Sequence, residues 1–300
     1  MSFLVGAYAA APSDPSAPEF AEFFRALAAE DLVGGLELPT SHLTDAAAVR
    51  AITEAASPDW TYALTCFPGT MFALAKDPSV GLASPSEASR GQAVEFVAEL
   101  REQAARFDEA AGGGRLERVF LHSAPVGGVP DALATSLAEI VSWDWAGARL
   151  EIEHCDAAVP GQEPQKGFLS LADELAVLAD VGSTGVVINW GRSAIETRSA
   201  EGPVLHLQQA REAGLLSGLM FSGVSAVDTD YGAGWLDAHL ASSTRTPGSM
   251  MTPSEISRCV AAAGDAFLGA KIGVKPADAP VQERVAAIIG LLQEIRDAQG

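Results

Sequence analysis

Four residues able to move protons or hold charge stand at the ends of short apolar runs. They are Glu37 in Leu36-Glu37-Leu38, His122 in Phe120-Leu121-His122-Ser123, Glu153 in Leu150-Glu151-Ile152-Glu153-His154, and Lys271 between Ala270 and Ile272. Two carboxylates and an ammonium are the parts needed to take a proton from a carbon beside a carbonyl and to hold the resulting enediolate. Glu153 is the candidate base, Glu37 the second acid or base opposite it, and Lys271 the positive group. His122 would hydrogen-bond a substrate hydroxyl or shuttle a proton. A buried charge is costly unless it is paired or used. Any one of the four could be structural, and Glu151, one alternation earlier, could simply pair with Arg149 or Lys271. All four at one level of the fold point to a functional pocket.

The elements that bring them together are eight short apolar runs alternating with longer amphipathic segments. The runs are Phe3 to Ala9, Val33 to Leu38, Trp60 to Phe67, Leu116 to Ser123, Arg149 to Asp156, Gly185 to Trp190, Leu215 to Ser222 and Ala266 to Gly273. Helical spacing recurs between them, as in Phe20, Phe23, Phe24 and Leu27, or Leu171, Leu175 and Leu178. A long helix is expected from about Ser86 to Ala110 and a closing one from Val281 to Asp297. Strands and helices in this alternation imply right-handed crossovers and a parallel sheet. Eight units fill the 300 residues without a composition-shifted linker, so the expectation is a single-domain (β/α)₈ barrel over 1–300. An open doubly wound sheet would carry a glycine-rich nucleotide turn after an early strand, and none is present.

Barrel strands send alternate residues inward and outward. With Leu36 and Leu38, Val119 and Leu121, Leu150 and Ile152, Val186 and Ile188, and Leu268, Ala270 and Ile272 facing the helices, the inward set includes Glu37, Phe120, His122, Glu151, Glu153, Asn189 and Lys271. The same rule gives Tyr8, Thr65 and Ser222 on the remaining strands. Each strand thus delivers a polar group near its C-terminal end, the catalytic face of this architecture. After the sixth strand, Arg192 and Arg198 could clamp a carboxylate or phosphate, and Trp190 offers a face for a sugar ring. Arg198 could equally pair with Glu196 or Glu201 on the rim. The segment 228–252 is long for a βα connection and is expected to fold over the site as a lid. It brings His239, which is either a further acid or base or a surface histidine.

A net charge of −20 argues against nucleic-acid and membrane-surface partners. The N-terminus reads as a first strand rather than a signal peptide, and no run is long and apolar enough to span a bilayer, so a cytoplasmic protein is expected. Three cysteines, Cys66, Cys155 and Cys259, suggest neither a disulfide framework nor a zinc knuckle.

The motifs around Glu37, His122 and Glu153 resemble those of the xylose isomerase-like barrels, a superfamily of sugar isomerases, epimerases and endonuclease relatives, here in a bacterial branch. That resemblance implies metal ligands Glu, Asp, His and Glu on the fifth to eighth strands. Glu153 matches the first, but Asn189, Ser222 and Lys271 stand where the others belong, and an ammonium would repel a cation. No cofactor is therefore expected. A divalent ion (Mn, Mg, Co or Zn), were one bound, would use Glu153 and Asn189, and His154 could help only by turning inward against parity. The resulting expectation is an isomerase or epimerase acting on a small carbohydrate-like hydroxycarbonyl compound without a metal. A Schiff-base aldolase or lyase through Lys271 and a non-catalytic barrel that binds a sugar or sugar acid stay open.

Overall fold

The computed structural model describes residues 2–182 and 184–300. Eight parallel strands run β1 (Phe3–Val5), β2 (Val33–Pro39), β3 (Thr61–Thr65), β4 (Leu116–Leu121), β5 (Arg149–Glu153), β6 (Thr184–Asn189), β7 (Leu216–Phe221) and β8 (Phe267–Ala270). They pair in sequence order, and β1 closes on β8 through Leu4–Gly269 and Val5–Ala270, giving the expected single-domain (β/α)₈ barrel. The long helix spans Glu87–Ala110 with Ser86 accepting from the Ser89 amide as its cap, and the last spans Val281–Asp297.

Side-chain parity follows from the pleat. Leu36, Leu38, Val119, Leu121, Leu150, Ile152, Val186, Ile188, Leu219 and Leu268 are buried between sheet and helices. They meet helix stripes such as Phe20, Phe23, Phe24 and Leu27 on Pro18–Ala28 and Leu171, Leu175 and Leu178 on Leu171–Val181. Each such side chain contributes roughly 1.5–3 kcal/mol by leaving water. Inside the barrel, Ala63, Phe120, Val187 and Met220 form a separate apolar plug, joined by Leu4 and Phe267. The plug makes the barrel a packed core and forms an apolar layer within it.

Glu151 does face inward, but it pairs with neither Arg149 nor Lys271. Its Oε1 accepts from Arg118 Nη1 at 2.6 Å, and Arg118 in turn lies 4.2 Å from the Phe267 ring. One alternation separates Glu151 from Glu153 along the strand, which puts the Arg118–Glu151 pair nearer the N-terminal end of the barrel.

The segment after β7 returns to the C-terminal strand ends. Gly223 bridges Leu240, and the Gly273 amide donates to His239 O at 2.7 Å. Among the described residues no helix is long and apolar enough to cross a membrane.

Candidate functional site

Four inward residues end their strands or follow them directly. Glu153 and Asn189 are the last residues of β5 and β6, while His122 and Lys271 are the first beyond β4 and β8; Glu37 lies near the end of β2. Lys271 Nζ donates to Glu37 Oε1 at 2.8 Å and to Glu153 Oε1 at 3.0 Å. Asn189 Nδ2 donates to the same Glu153 oxygen at 3.1 Å. On the other Glu153 oxygen, His122 Nε2 lies at 3.2 Å and Arg192 Nη1 at 2.8 Å. The five expected residues Glu37, His122, Glu153, Asn189 and Lys271 thus meet in one buried cluster, and Arg192 joins them. Close packing of Gly6, the residue after β1, is part of this: a Cβ there would fall 2.8 Å from Lys271 Cβ and 2.9 Å from Glu37 Oε2.

The two carboxylates differ electrostatically. Burial is the main cause that raises the Glu37 carboxyl; Lys271 opposes it, Glu153 adds to it, and the net shift is upward. Burial also pushes Glu153 upward, but Arg192, Lys271 and His122 outweigh it and hold that carboxyl well below its ordinary value. The ammonium of Lys271 gains more from Glu153 and Glu37 than burial removes, so it stays charged. Burial lowers His122 to about 4, which leaves a neutral imidazole at neutral pH. With Nε2–H donated to Glu153, its Nδ1 is an acceptor. That atom has no partner among the described residues, nor do Glu37 Oε2 and Arg192 Nη1 and Nη2. Arg192 Nη1 approaches Glu153 closely, yet its N–H bonds are not aimed at the carboxylate.

The segment 228–252 reaches this cluster through Asp237, which sequence reasoning did not single out. Arg192 Nε donates to Asp237 Oδ2 at 3.2 Å, and Lys166, on the long β5 loop, donates to the same oxygen at 3.1 Å. His239 is part-buried, its side chain 18% exposed. Its Nδ1 meets Ser222 Oγ at 2.7 Å, and burial lowers its imidazole to about 4. Phe67 completes the wall, 4.1 Å from the Arg192 guanidinium and 5.2 Å from the His122 ring.

Other expected residues fall elsewhere. Tyr8 sits on a 3₁₀ turn, Ala7–Ala9, rather than on a strand, but its ring reaches to 5.8 Å from Lys271 Nζ. Thr65 ends β3, and its hydroxyl accepts from the Phe67 amide, a turn-making bond. Trp190 is fully buried in the outer hydrophobic core, because the residue after inward Asn189 must point outward, so it offers no face to a sugar. Arg198 is not in the cluster either. It terminates the helix Trp190–Thr197 in a left-handed conformation (φ 51°), donates to Glu163 O at 2.7 Å and lies 4.9 Å from the Trp235 ring. It pairs with neither Glu196 nor Glu201. The Cys155 thiol is pushed up by burial and is a poor nucleophile.

The donor set at the ends of β5–β8 does not fit a divalent metal. Glu153 Oε1 faces an ammonium and an amide N–H₂, and Asn189 Oδ1 accepts from the Arg192 amide at 3.3 Å as a helix cap. Ser222 is bonded to His239, and the fourth position is the cationic Lys271 itself. His154 faces away from this centre, toward Glu174 and Glu196.

Comparison with known proteins agrees with the architecture. The family described as Domain of unknown function (DUF4862) matches residues 4–287. "Uncharacterized protein STM3670" of Salmonella typhimurium is 35% identical over 294 residues, covering 94% of this chain and 93% of that one. Among solved structures, a putative xylose isomerase from Rhodospirillum rubrum has a TM-score of 0.61 at 15% identity, over 99% of this chain and 98% of that one. D-psicose 3-epimerase with D-tagatose from Clostridium cellulolyticum H10 has a TM-score of 0.55 at 14% identity, over 100% and 97%. The fold is that of the xylose isomerase-like barrels.

Proposed function

The chain belongs to the DUF4862 family, and on that premise we propose that it is an isomerase or epimerase of a small carbohydrate-like hydroxycarbonyl compound, working through an enediolate without a metal. The observation that carries the reading is the set of unpartnered polar atoms on one bonded cluster: Glu37 Oε2, His122 Nδ1 and Arg192 Nη1 and Nη2. Buried polar groups are ordinarily satisfied. An acceptor carboxylate, an acceptor imidazole and a guanidinium fork complement a molecule carrying both hydroxyls and a carbonyl.

The electrostatics reassign one role. Glu153 was expected as base, but a carboxylate held low by two cations and further donors is a weak proton acceptor. Glu37, with a raised carboxyl and a free oxygen, is the better proton-transfer group. Glu153 instead holds Lys271 and Arg192 where charge develops on the substrate oxygen. Lys271 stabilises the enediolate as an ammonium, and the unpaired Arg192 N–H groups take a second oxygen. His122 Nδ1 accepts from a hydroxyl. The Schiff-base alternative needs a neutral amine, which two carboxylates around Nζ oppose. The cluster pairs its cations with the carboxylates Glu37, Glu153 and Asp237, a balance suited to an uncharged sugar. Residues 228–252 act as the lid, with Asp237 as its contact on Arg192 and Lys166.

A non-catalytic binding barrel is the second reading, favoured by the full engagement of Glu153. Solvent exchange separates the two. In D₂O, a ketose such as D-fructose or D-tagatose should gain deuterium beside its carbonyl in the presence of the protein. Glu37→Gln should abolish this; exchange at the parent rate in that variant would refute the proposed role of Glu37.

A further inference from the structure

Beyond the barrel centre, we propose that His154, Glu196 and His206 form a zinc site on the outer side of β5, with Glu174 as the positioning residue for His154. Parity places it: Glu153 turns inward, so His154 turns out among three helices. Leu171–Val181 supplies Glu174, Trp190–Thr197 supplies Glu196, and Gly202–Glu212 supplies His206. One ligand atom from each of His154, Glu196 and His206 lies within 4.8 Å of the others. His154 Nε2 is 3.0 Å from Glu196 Oε2, and His206 Nε2 is 3.6 Å from Glu196 Oε1. Tetrahedral zinc with bonds of about 2.0–2.1 Å sets its ligand atoms roughly 3.4 Å apart; the two imidazole-to-carboxylate separations, one to each Glu196 oxygen, lie near that value.

The surrounding hydrogen bonds orient the rings for a metal. His154 Nδ1 lies 2.7 Å from Glu174 Oε2, and that carboxylate also accepts from Ser123 at 2.5 Å. An Nδ1–H donated to Glu174 leaves the Nε2 lone pair toward Glu196, the arrangement of a carboxylate–histidine–zinc triad. His206 Nδ1 is likewise engaged by Ser193 Oγ at 2.9 Å, which leaves its Nε2 on the same side.

Charge supplies the second argument. Among the described residues no lysine or arginine forms an ion pair with Glu174 or Glu196; histidines alone do. Two carboxylates, two neutral imidazoles and Zn²⁺ sum to zero net charge, so a bound zinc would balance both carboxylates in a nearly dry cluster. The side chains of His206 and Glu196 are 9% and 12% exposed, against 0% for His154, so an ion and a water ligand can reach the site from one side. Two imidazoles and a carboxylate are a donor set suited to zinc. A metal here would tie the helix carrying Arg192 to the strand carrying Glu153.

The test uses the full chain, purified without a metal column, stripped with chelator and titrated with Zn²⁺ alone, then with Co²⁺ as a spectroscopic probe. One zinc per chain should bind, Co²⁺ should give the intense visible bands of a tetrahedral site, and zinc should raise the melting temperature. Glu174→Gln should weaken binding by about 10–100-fold, and His206→Ala should weaken it more while keeping the parent far-UV circular dichroism. Failure of the parent protein to bind zinc and to develop the cobalt bands would overturn the proposal. So would undiminished binding by folded His206→Ala.

Discussion

Glu153 and His154 are consecutive residues, yet they enter clusters balanced in different ways. Inside the barrel, Glu37 and Glu153 face Lys271 and Arg192, cations fixed in the sequence and close enough to form ion pairs. Outside, Glu174 and Glu196 face only histidines, whose charge depends on what else is present. The inner cluster pairs its carboxylates with fixed cations and keeps several polar atoms unpartnered, whereas the outer one engages its carboxylates with histidines. On the proposed readings, the barrel centre works without a metal while candidate metal ligands stand one residue away, on the other face of the same strand.

The largest expected effect comes from removing the fixed cation. Lys271→Met preserves most of the packing but leaves Glu37 and Glu153 without their shared partner. Breaking a buried pair costs about 3–5 kcal/mol, read as a lower denaturation midpoint. Loss of the enediolate-stabilising charge should cut solvent exchange by about 10²–10³-fold. Normal exchange in a folded Lys271→Met protein would erase the distinction between the two clusters.

The next effect concerns pH. Only the ionised form of Glu37 accepts a proton, and its carboxyl is raised in the folded protein by burial. Exchange should therefore climb as pH rises through a value above the ordinary glutamate range and level off beyond it. Weakening the Lys271 contact removes a lowering influence, so the limb should move to still higher pH in Lys271→Met, in whatever activity remains. An acid limb in the ordinary range for both proteins would return the base role to a more exposed group.

The smallest effect is expected at the rim. Arg198 bonds a backbone carbonyl and lies against Trp235, outside both clusters. Arg198→Ala should change stability by no more than about 0.5 kcal/mol and leave exchange unaltered. A large loss of exchange would put Arg198 back in the substrate clamp.

Period-two alternation explains what the sequence revealed. Apolar neighbours on both sides of Glu37 and Lys271, and the alternation Leu150, Ile152 before Glu153, suffice to assign the inward face, and the strand ends then set the level. The same alternation also carries Trp190 outward, away from the sugar-facing role expected of it. Arg192 and Arg198 illustrate the limit. Six residues apart around a short helix, they point in different directions, and only the docking of that helix decides which one meets Glu153. Asp237, Lys166 and the outer partners of His154 come from a long loop or from separate helices, whose relative placement has no local periodicity to betray it.

The most direct test of the central claim is solvent exchange with protein stripped of metal by chelator and assayed below its melting temperature. The inner cluster carries its own cation, so the stripped protein should exchange deuterium into a ketose substrate at the rate of untreated protein, while stripped Lys271→Met should not. Loss of exchange on stripping a still-folded protein, with recovery on adding Mg²⁺, Mn²⁺, Co²⁺ or Zn²⁺, would contradict a metal-free centre built on Lys271.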